Sequence, residues 1–575
     1  MTLAQLLDAN FSALNGAAPG TGDARAGAPR FRLVTREGVS SGAGRHAGLL
    51  RVDSSVLRQL AFEAFRDINF LFRKSHLEGW ARILDDPAAS DNDRFVAAAL
   101  LKNAAISAEG VLPSCQDTGT ATVIGLKGED VAVGADDEAA IVEGVREAYA
   151  RCNLRFSQVA PVSLFDDKPT GTNLPAQIDI HAAGFSGPGG REYRLLFVAK
   201  GGGSANKTAF SQENPTLLDD AAFEAFLRRR VTSLGVAGCP PYHLAVVVGG
   251  TSAERNLETL KLATAGALDH LPDISTAAGR DVRAGRHVRD DPGAAFRDLA
   301  WETRLLAIIR ATGLGAQFGG AFLALDARVV RLPRHAASLP VSVGVSCSAH
   351  RNAFARIDAD GAWLEELDRE PARFLPRAIE VLERVTGAAK RVDLGVPLSE
   401  VRRQLSGLKP GTLILLTGPM LVARDAAHAR FARMLHETGA LPAYLRDSVV
   451  CYAGPAQTPP GHVIGSLGPT TAQRMDPYVR SLMKAGASLV MLAKGNRSRD
   501  VSTACREYGG ICLGTIGGAA ALIAREHVAR DEVIDFADLG MEAVRRIEVR
   551  DLPAFVVIDD RGASLYDCMG ECAEG

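Results

Sequence analysis

The run SCQDTGT at residues 114–120 places a thiol, an amide and a carboxylate on consecutive residues. A thiolate is a soft ligand that suits iron, zinc or copper, whereas a carboxylate beside an amide suits proton transfer or an oxygen-bearing ligand. One cysteine makes no metal site. Any partner thiols must therefore come from elsewhere in the chain.

Three of the nine cysteines stand in unusual settings. Cys115 precedes Gln-Asp, Cys239 precedes two prolines, and Cys347 closes an alternating strand between two serines. Their separations, 239 − 115 = 124 and 347 − 239 = 108 residues, are far too long for a zinc knuckle or a ferredoxin run. Spacing alone therefore does not establish a site.

The other cysteines have plainer interpretations, because a buried cysteine is usually a small apolar residue. Cys568 and Cys572 form a C-x-x-x-C pair that could hold a metal or form a disulfide, although an exposed, frayed tail is the simpler reading. The remaining four are expected to pack within or beside regular elements: Cys152, Cys451, Cys505 and Cys512.

A second chemical pattern is the strand-like run RLLFVAK at 194–200, followed by GGGSANKT at 201–208. Consecutive glycines let backbone N–H groups converge on an anion. The G-x-x-x-x-G-K-[ST] spacing of a nucleotide P-loop is missing, so a carboxylate is a fair alternative ligand. A tight turn that serves packing alone remains the other interpretation.

The overall composition favours a small-molecule partner. Lys+Arg 65 against Asp+Glu 67 gives a net charge of -2, so neither nucleic acid nor an anionic membrane is expected as a partner. The odd, scattered cysteines fit reduced thiols in a cytosolic setting. No apolar run reaches the roughly 18 residues of a membrane span, and Asp8 and Asp23 argue against a leader peptide. We expect a soluble, cytoplasmic protein.

The helices and strands predicted around these groups indicate an α/β fold. Helical periodicity at 56–72 and 94–108 leads into the residue 115 loop, and strands are predicted at 194–200, 244–248 and 341–347. From residue 398 strand, loop and helix alternate. We predict a larger N-terminal α/β domain at 1–370, a linker at 371–395 and a smaller C-terminal α/β domain at 396–575.

Together the motifs resemble those of the class I fumarases, which are iron–sulfur hydro-lyases. The matching pieces occur in family order: CQDTGTA (115–121), NLRFSQ (153–158), TGTNLPAQID (170–179), KGGGSANKT (200–208), CPPYH (239–243), RLPRH (331–335), GVSCS (344–348), GPTTA (468–472) with RMD (474–476), and KGNRS (494–498).

The resemblance implies a [4Fe–4S] cluster held by Cys115, Cys239 and Cys347, with one iron left open as a Lewis acid. It implies Thr470 as the base, activated by Asp117, and His335 as the acid. For a short dicarboxylate it implies a binding set of side chains and one backbone group: Gln116, Arg155, Gly203, Arg424, Thr471, Arg474 and Lys494.

The resemblance further implies a site at the interface of the two domains and a homodimer, with reversible hydration of fumarate to (S)-malate as the reaction. Ala453 and Phe165 depart from the expected pattern, which puts substrate preference in doubt more than reaction type. Mesaconate or tartrate is therefore an alternative substrate. A non-catalytic iron–sulfur sensor and a zinc hydrolase are alternatives from other classes.

Overall fold

The computed structural model describes residues 30–42, 48–183, 190–273, 280–281, 286–287 and 295–567. The expectations for Cys568 and Cys572, and most of those for residues 1–50, lie outside these ranges. No helix in the described ranges combines the length and the apolar character that crossing a membrane requires.

Helices flank the sheets in both halves of the chain. The helices predicted at 56–72 and 94–108 are confirmed as α1 and α3, within three residues at each end. In chain order the α-helices are α1 (Ser54–Phe70), α2 (Lys74–Asp85), α3 (Asp91–Ser107), α4 (Asp137–Arg151), α5 (Gly202–Ala205), α6 (Asp220–Leu234), α7 (Ala253–Thr264), α8 (Leu299–Ala311), α9 (Leu375–Thr386), α10 (Leu398–Leu405), α11 (Asp425–Thr438), α12 (Ala443–Arg446), α13 (Asp476–Lys484), α14 (Arg499–Tyr508) and α15 (Ala520–Leu522).

Strands occur along the whole described chain, and together with the helices they confirm the mixed α/β class. In chain order they are β1 (Phe31–Thr35), β2 (Val39–Ser41), β3 (Leu50–Val52), β4 (Thr120–Gly128), β5 (Val131–Val133), β6 (Val159–Pro161), β7 (Asp167–Pro169), β8 (Gln177–Ala183), β9 (Tyr193–Lys200), β10 (Ala209–Glu213), β11 (Tyr242–Gly250), β12 (Arg280–Asp281), β13 (Arg286–His287), β14 (Phe296–Arg297), β15 (Ala324–Arg334), β16 (Leu339–Ser346), β17 (Asn352–Asp358), β18 (Gly361–Glu365), β19 (Lys390–Asp393), β20 (Leu413–Val422), β21 (Val450–Cys451), β22 (Val490–Ala493), β23 (Ile511–Gly514), β24 (Val528–Asp535) and β25 (Val544–Ile558).

Two large sheets lie in the N-terminal half, beside smaller sheets of two and three strands. A six-stranded sheet has the order β1-β18-β17-β9-β4-β8, and a five-stranded sheet has the order β10-β16-β11-β15-β14. Strands β9 and β11 are buried along almost their whole length, which explains their nearly continuous apolar sequences. An apolar cluster that includes residues of β4, β9 and β11 fills the space between the two sheets.

The C-terminal half contains a seven-stranded sheet that closes on itself. Strands β19 to β23 pair in parallel, and β25 pairs antiparallel with both β23 and β20. Strands β20, β21, β22, β23 and β25 thus form a ring with no free edge between them. The loops that follow β20, β21 and β22 carry the C-terminal motifs.

The stretch predicted as a linker, 371–395, contains regular structure. It holds α9 and β19, and α9 packs on α3 of the N-terminal half. Ion pairs join Arg384 to Asp91 on α3 and Arg377 to Asp85 on α2. The charged residues of α9 form the solvent-facing side of an amphipathic helix. The exact domain boundaries remain a prediction.

Candidate active site

Two of the three singled-out cysteines lie at the same end of the five-stranded sheet. Cys239 lies shortly before β11, and Cys347 directly follows β16. The two strands are antiparallel, with His243 opposite Ser346, so both cysteine loops leave the sheet at one end. The Ser348 N–H donates to the Cys239 carbonyl at 2.9 Å and ties the loops together.

Cys115 reaches the same place from the six-stranded sheet. It precedes β4 and belongs to the same apolar cluster as Cys239 and Cys347. The Asn103 side-chain amide, on α3, donates to the carbonyls of Ser114 and Gly518 at 3.0 and 3.2 Å, which fixes the loop. Helix α3 begins with a capping box between Ser90 and Asp93, so its position is set at both ends.

The three thiols are buried and close enough to affect one another electrostatically. Their exposed fractions are 6 %, 3 % and 9 % for Cys115, Cys239 and Cys347. Burial raises the pKa of Cys115 and of Cys239, and the neighbouring thiols add to the rise at both. Lys494 opposes it, with its Nζ donating to the Cys239 Sγ at 2.7 Å.

The residues present fit a cluster bound by three cysteines. Cys239 has a positive φ of 63°, a sparsely populated conformation that often marks functional sites. Gly517 leaves room beside it, because a Cβ there would lie 2.4 Å from the Cys239 Sγ. In the described ranges no three His, Cys, Asp or Glu side chains close on a single metal ion. A cubane of four irons and four sulfides is wider than one ion, so its ligands need not meet at one point.

Lys494, Thr470 and Thr471 reach the thiols from the C-terminal half. The Lys494 N–H donates to the Thr470 carbonyl at 3.1 Å, and the Thr470 N–H donates to the Tyr452 carbonyl at 2.6 Å. The Thr471 hydroxyl donates to the Ala237 carbonyl at 3.4 Å, two residues before Cys239. These bonds place the GPTTA and KGNRS loops against the cysteine loops.

Gln116 also bridges the two halves. Its side-chain Nε2 donates to the Pro469 carbonyl at 3.3 Å, and its Oε1 is 3.5 Å from the Cys115 Sγ. Gly468 permits this approach, because a Cβ there would lie 2.3 Å from Oε1. On the N-terminal side, Gly203 lies near the lysine: a Cβ on it would be 3.4 Å from the Lys494 Nζ.

Asp117 is held by positive charge. It forms an ion pair with Arg155 at 3.0 Å and accepts the Gly202 N–H at 2.9 Å. Burial alone would raise the pKa of Asp117, but Arg155, Arg351 and the Gly202 N–H together hold it well below its usual range. Asp117 is therefore an ionised carboxylate. Among the hydrogen bonds of the described residues, none joins Asp117 to the Thr470 hydroxyl.

The remaining arginines form a cation group in the C-terminal half. Arg424 is buried and pairs with Asp425 and Glu542, each at 3.0 Å. Arg474 pairs with the same Asp425 carboxylate at 3.0 Å. Burial first, and then Arg424, lower the pKa of Arg474. Arg155 joins the group by donating to the Gly454 carbonyl at 3.3 Å.

His335 does not join the other predicted residues within one chain. It lies in an exposed turn between β15 and β16, at the opposite end of the five-stranded sheet from Cys347. The eight residues of β16 separate the two, on the order of 25 Å at about 3.3 Å per residue. Its described partners are local: its Nδ1 accepts the Ala337 N–H at 3.2 Å.

Sequence reasoning missed Arg351, which follows the GVSCS motif. This arginine is 2 % exposed, and its Nη1 donates to the Asp117 carbonyl at 2.5 Å. Its position four residues after Cys347 was the available signal. Without the fold, however, nothing distinguished it from a surface charge.

Sequence reasoning also missed a buried histidine group behind the cysteine loops. His76 Nε2 bonds to the Ser348 carbonyl and its Nδ1 to His243, both at 2.8 Å, while His243 bonds to Asp326 at 2.8 Å. The His350 ring lies 4.1 Å from that of His243. Burial first, and then the neighbouring His243, lower the pKa of His76 to about 3, so it is neutral and orients the loop.

Fold and site together define a two-part α/β enzyme in which buried thiols face a cationic surface across the junction of its halves. Two family models cover the chain, one described as Fumarate hydratase (Fumerase) at residues 58–356 and one as Fumarase C-terminus at 361–569.

Two curated relatives match almost the whole length of the chain, and a third matches 29% of it. "Fumarate hydratase class I, aerobic" of Salmonella typhimurium is 47% identical, covering 93% of this chain and 89% of the relative. "Fumarate hydratase 1, mitochondrial" of Leishmania major is 47% identical, covering 94% and 95%. The "Putative L(+)-tartrate dehydratase subunit beta" of Methanocaldococcus jannaschii is 32% identical over 29% of this chain and 87% of its own length. The chain belongs to the class I fumarate hydratase family and is a hydro-lyase.

Proposed function

We propose that the enzyme catalyses the reversible hydration of fumarate to (S)-malate with a [4Fe–4S] cluster held by Cys115, Cys239 and Cys347. The observation that carries the proposal is the contact of Lys494 with Cys239 across the junction of the two halves. The contact puts the Lys494 ammonium directly beside the thiols, and in this proposal that ammonium binds a carboxylate of the substrate. When bound, the cluster would supply a Lewis acid at the iron that lacks a thiolate.

The cations bind and orient the substrate in this proposal. Arg155, Arg424 and Arg474 form one side of the site, and Lys494 the other. A guanidinium binds a carboxylate through two parallel hydrogen bonds, which fixes the angle of the substrate as well as its charge. Gln116, Thr471 and the Gly203 backbone supply neutral donors between them.

Thr470 is the proposed base for the carbon-bound proton. Backbone hydrogen bonds on both sides hold the residue, while no described residue hydrogen-bonds its hydroxyl. A threonine hydroxyl needs a neighbouring carboxylate to accept a proton. Ionised Asp117, from the other half, is the proposed partner, and closure of the site on substrate would bring the two together.

His335 is the proposed acid, and the homodimer is part of this proposal. Because His335 lies at the far end of its own sheet, the geometry favours its action in a second copy of the chain. In a two-fold dimer, each chain can contribute its His335 loop to the site of the other chain.

Mixed dimers test the role of His335. Chains carrying His335→Asn and Thr470→Ala, with different affinity tags, are co-expressed and the heterodimer is isolated. If each site takes its histidine from the other chain, one site is intact and activity is about half that of wild type. If His335 acts within its own chain, both sites are damaged and the heterodimer is as inactive as the parents.

An anaerobic preparation tests the reaction and the cofactor together. We expect cluster absorbance, about four irons per chain, and turnover of fumarate. Zinc without cluster absorbance would contradict the proposal. If the cluster is present without fumarate turnover, and its absorbance is unaffected by Thr470→Ala, an iron–sulfur sensor would be favoured.

Tartrate is the second candidate substrate, favoured by the match to the putative tartrate dehydratase subunit. Hydrophobic pockets discriminate a methyl or hydroxyl group by only about 10- to 200-fold. Comparison of kcat/KM for fumarate, mesaconate and tartrate decides between them. Faster turnover of tartrate or mesaconate would replace fumarate in the proposal.

We also propose a reducing compartment, the cytoplasm. All cysteines in the described ranges are free thiols. Fractionation of the source cells with a reporter fusion tests this localisation.

A further inference from the structure

A chain of hydrogen bonds runs from the Asp326 carboxylate through two histidines to the loop that carries Cys347. Its three bonds are each 2.8 Å long: Asp326 to His243 Nδ1, His243 Nε2 to His76 Nδ1, and His76 Nε2 to the Ser348 carbonyl. Both imidazole rings are buried. Neither histidine belongs to the proposed substrate-binding residues or to the proposed acid–base pair.

The protons that these hydrogen bonds require fix the charge of the histidine pair. Both ends of the chain are acceptors, because the Ser348 carbonyl cannot donate and the Asp326 carboxylate accepts from Arg328 at 2.6 Å. Burial alone would raise the pKa of Asp326, but Arg328, and then His243, hold it well below its usual range. Each of the three bonds therefore needs a proton on a ring nitrogen. Two neutral imidazoles carry only two such protons, so the pair holds one positive charge.

The positive charge belongs on His243 rather than on His76. His243 faces the Asp326 carboxylate, whereas burial first, and then His243, lower the pKa of His76 to about 3. His76 is then the neutral ring, which accepts at Nδ1 and donates to Ser348 at Nε2. The His350 ring lies 4.1 Å from His243, and burial lowers its pKa well below the ordinary value, so it adds no second charge.

The ion pairs beyond His243 favour the same charge. Linked ion pairs connect five described residues: Asp326, Arg328, Asp269, Arg297 and Glu302. This group holds three carboxylates and two guanidinium groups, so one carboxylate charge has no cation within the group. An imidazolium at His243 supplies that cation, in keeping with the rule that charges removed from water are paired.

We propose that His243 is a positioning residue that is protonated at neutral pH, and that its charge acts through His76 on the loop of Cys347. The inference rests on the proposed cluster. A ring that accepts from an imidazolium is polarised, so the His76 N–H is a stronger donor to the Ser348 carbonyl than an isolated neutral imidazole. Ser348 also donates its N–H to the Cys239 carbonyl at 2.9 Å. The histidine chain is therefore bonded to both cysteine loops.

Nitrogen-15 solid-state NMR tests the charge itself. The full-length chain is labelled at its histidine nitrogens, and wild type is compared with His243→Gln and with His462→Gln, whose histidine is exposed. At about pH 8 an ordinary histidine, with a pKa of about 6.5, is neutral. We expect an imidazolium signal that is lost in His243→Gln and kept in His462→Gln. If wild type has no imidazolium signal, or if His243→Gln removes only signals of neutral rings, the inference is wrong.

Glutamine at position 76 separates the hydrogen bonds from the ring. The amide oxygen of glutamine can accept from His243 and its nitrogen can donate to Ser348, as neutral His76 does, so His76→Gln should release iron to a chelator at the wild-type rate. His76→Leu fills similar space and makes neither bond. We expect iron release about 10-fold faster or more, since partners behind metal ligands contribute on this scale. Equal release from the two variants would show that the ring only fills space, which would overturn the inference.

Asp326→Asn removes the counter-charge of the imidazolium while its amide oxygen can still accept from His243. We expect loss of the imidazolium signal at about pH 8 and faster iron release, with Asp360→Asn, at an exposed position, as the unchanged control. Equal circular dichroism spectra show that the variants are folded, and Asp326→Asn keeps the inference falsifiable if His243→Gln is unstable. An Asp326→Asn chain with the wild-type signal and the wild-type iron release would contradict it.

Failure of the inference and failure of the proposed function give different results. If the chain binds no iron, the proposed cluster is wrong, whereas the NMR spectra still decide the charge of His243. If the cluster forms and fumarate is turned over, but no imidazolium signal depends on His243, only the inference is wrong.

Discussion

The two sides of the site reach electrostatic balance in different ways. On the thiol side, Cys115, Cys239 and Cys347 are buried, and Lys494 is the cation bonded to one of them. The proposed substrate-binding arginines form the other side, which we call the clamp side. Its Arg424 and Arg474 already have carboxylate partners in Asp425 and Glu542. The clamp side carries its own counter-charges, whereas on the thiol side the proposed cluster would supply the positive charge that stabilises thiolates. The difference predicts that cofactor loss damages one side and spares the other.

Removal of a thiol ligand gives the largest expected effect. Cys239→Ser should abolish fumarate turnover, a fall of about 10³-fold or more, because a proposed thiolate ligand of the cluster is lost. Iron and sulfide analysis measures the loss directly. Cys451→Ser is the matched control, since Cys451 is buried in β21. Equal iron contents in the two variants would show that Cys239 is not a ligand.

Removal of the proposed base comes next. Thr470→Ala should lower kcat by about 10²- to 10⁴-fold, the usual contribution of a positioned acid or base. Iron content should stay at the wild-type value, because Thr470 belongs to neither side's charge balance. Thr503→Ala, at an exposed position of α14, serves as control. A near-normal kcat in Thr470→Ala would show that another residue acts as the base.

The shape of the arginine fork should matter on the clamp side. Arg424→Lys keeps the charge but cannot bond Asp425 and Glu542 together, so we expect kcat/KM to fall by about 10- to 100-fold. Steady-state kinetics with iron analysis measures this. Arg391→Lys, at an exposed ion pair, should leave both unchanged. Loss of iron in Arg424→Lys would contradict the prediction that a change on the clamp side leaves the iron content unchanged.

The sequence predicted what local patterns encode. The strands before Gly201, after Cys239 and before Cys347, and the helices before Cys115, are where apolar periodicity put them. The sequence also supplied the three cysteines, but only through the family resemblance, since separations of more than 100 residues carry no geometric signal.

Three features escaped sequence reasoning for physical reasons: Arg351, the buried His76 and the position of His335. Arg351 and the buried His76 acquire meaning only from neighbours more than 160 residues away. The position of His335 depends on strand register, and a separation across a sheet is not visible in the motif RLPRH.

Acidification should act through the buried histidines of both sides. Burial lowers the pKa of His428, beside Arg424 on α11, to about 4, against about 6.5 for an unfolded histidine. Above pH 6.5 neither state takes up this proton. Between pH 6.5 and 4 only the unfolded state does, so stability falls with falling pH by up to about 1.4 kcal/mol per unit. His76 and His350 on the thiol side act with the same sign.

Urea unfolding between pH 7 and 5 measures that slope. His428→Gln should reduce the pH dependence of the free energy of unfolding by up to the equivalent of one proton. His462→Gln, at an exposed position, should leave that dependence unchanged. An unchanged slope in His428→Gln would mean that its proton uptake is equal in the folded and unfolded states.

The smallest expected effect tests the glycine that lies between the two sides. Gly203 is proposed to bind substrate through its backbone, which alanine retains. A Cβ there would lie 3.4 Å from the Lys494 Nζ, at the edge of ordinary contact with the far end of a flexible side chain. Gly203→Ala should therefore keep kcat/KM within about twofold of wild type, since helix α5 favours alanine over glycine. Gly468→Ala is the contrasting change, because its Cβ would meet the Gln116 Oε1 at 2.3 Å and displace a donor that joins the two halves. If Gly203→Ala were the more damaging of the two, Lys494 would be held more rigidly than its bond to Cys239 implies.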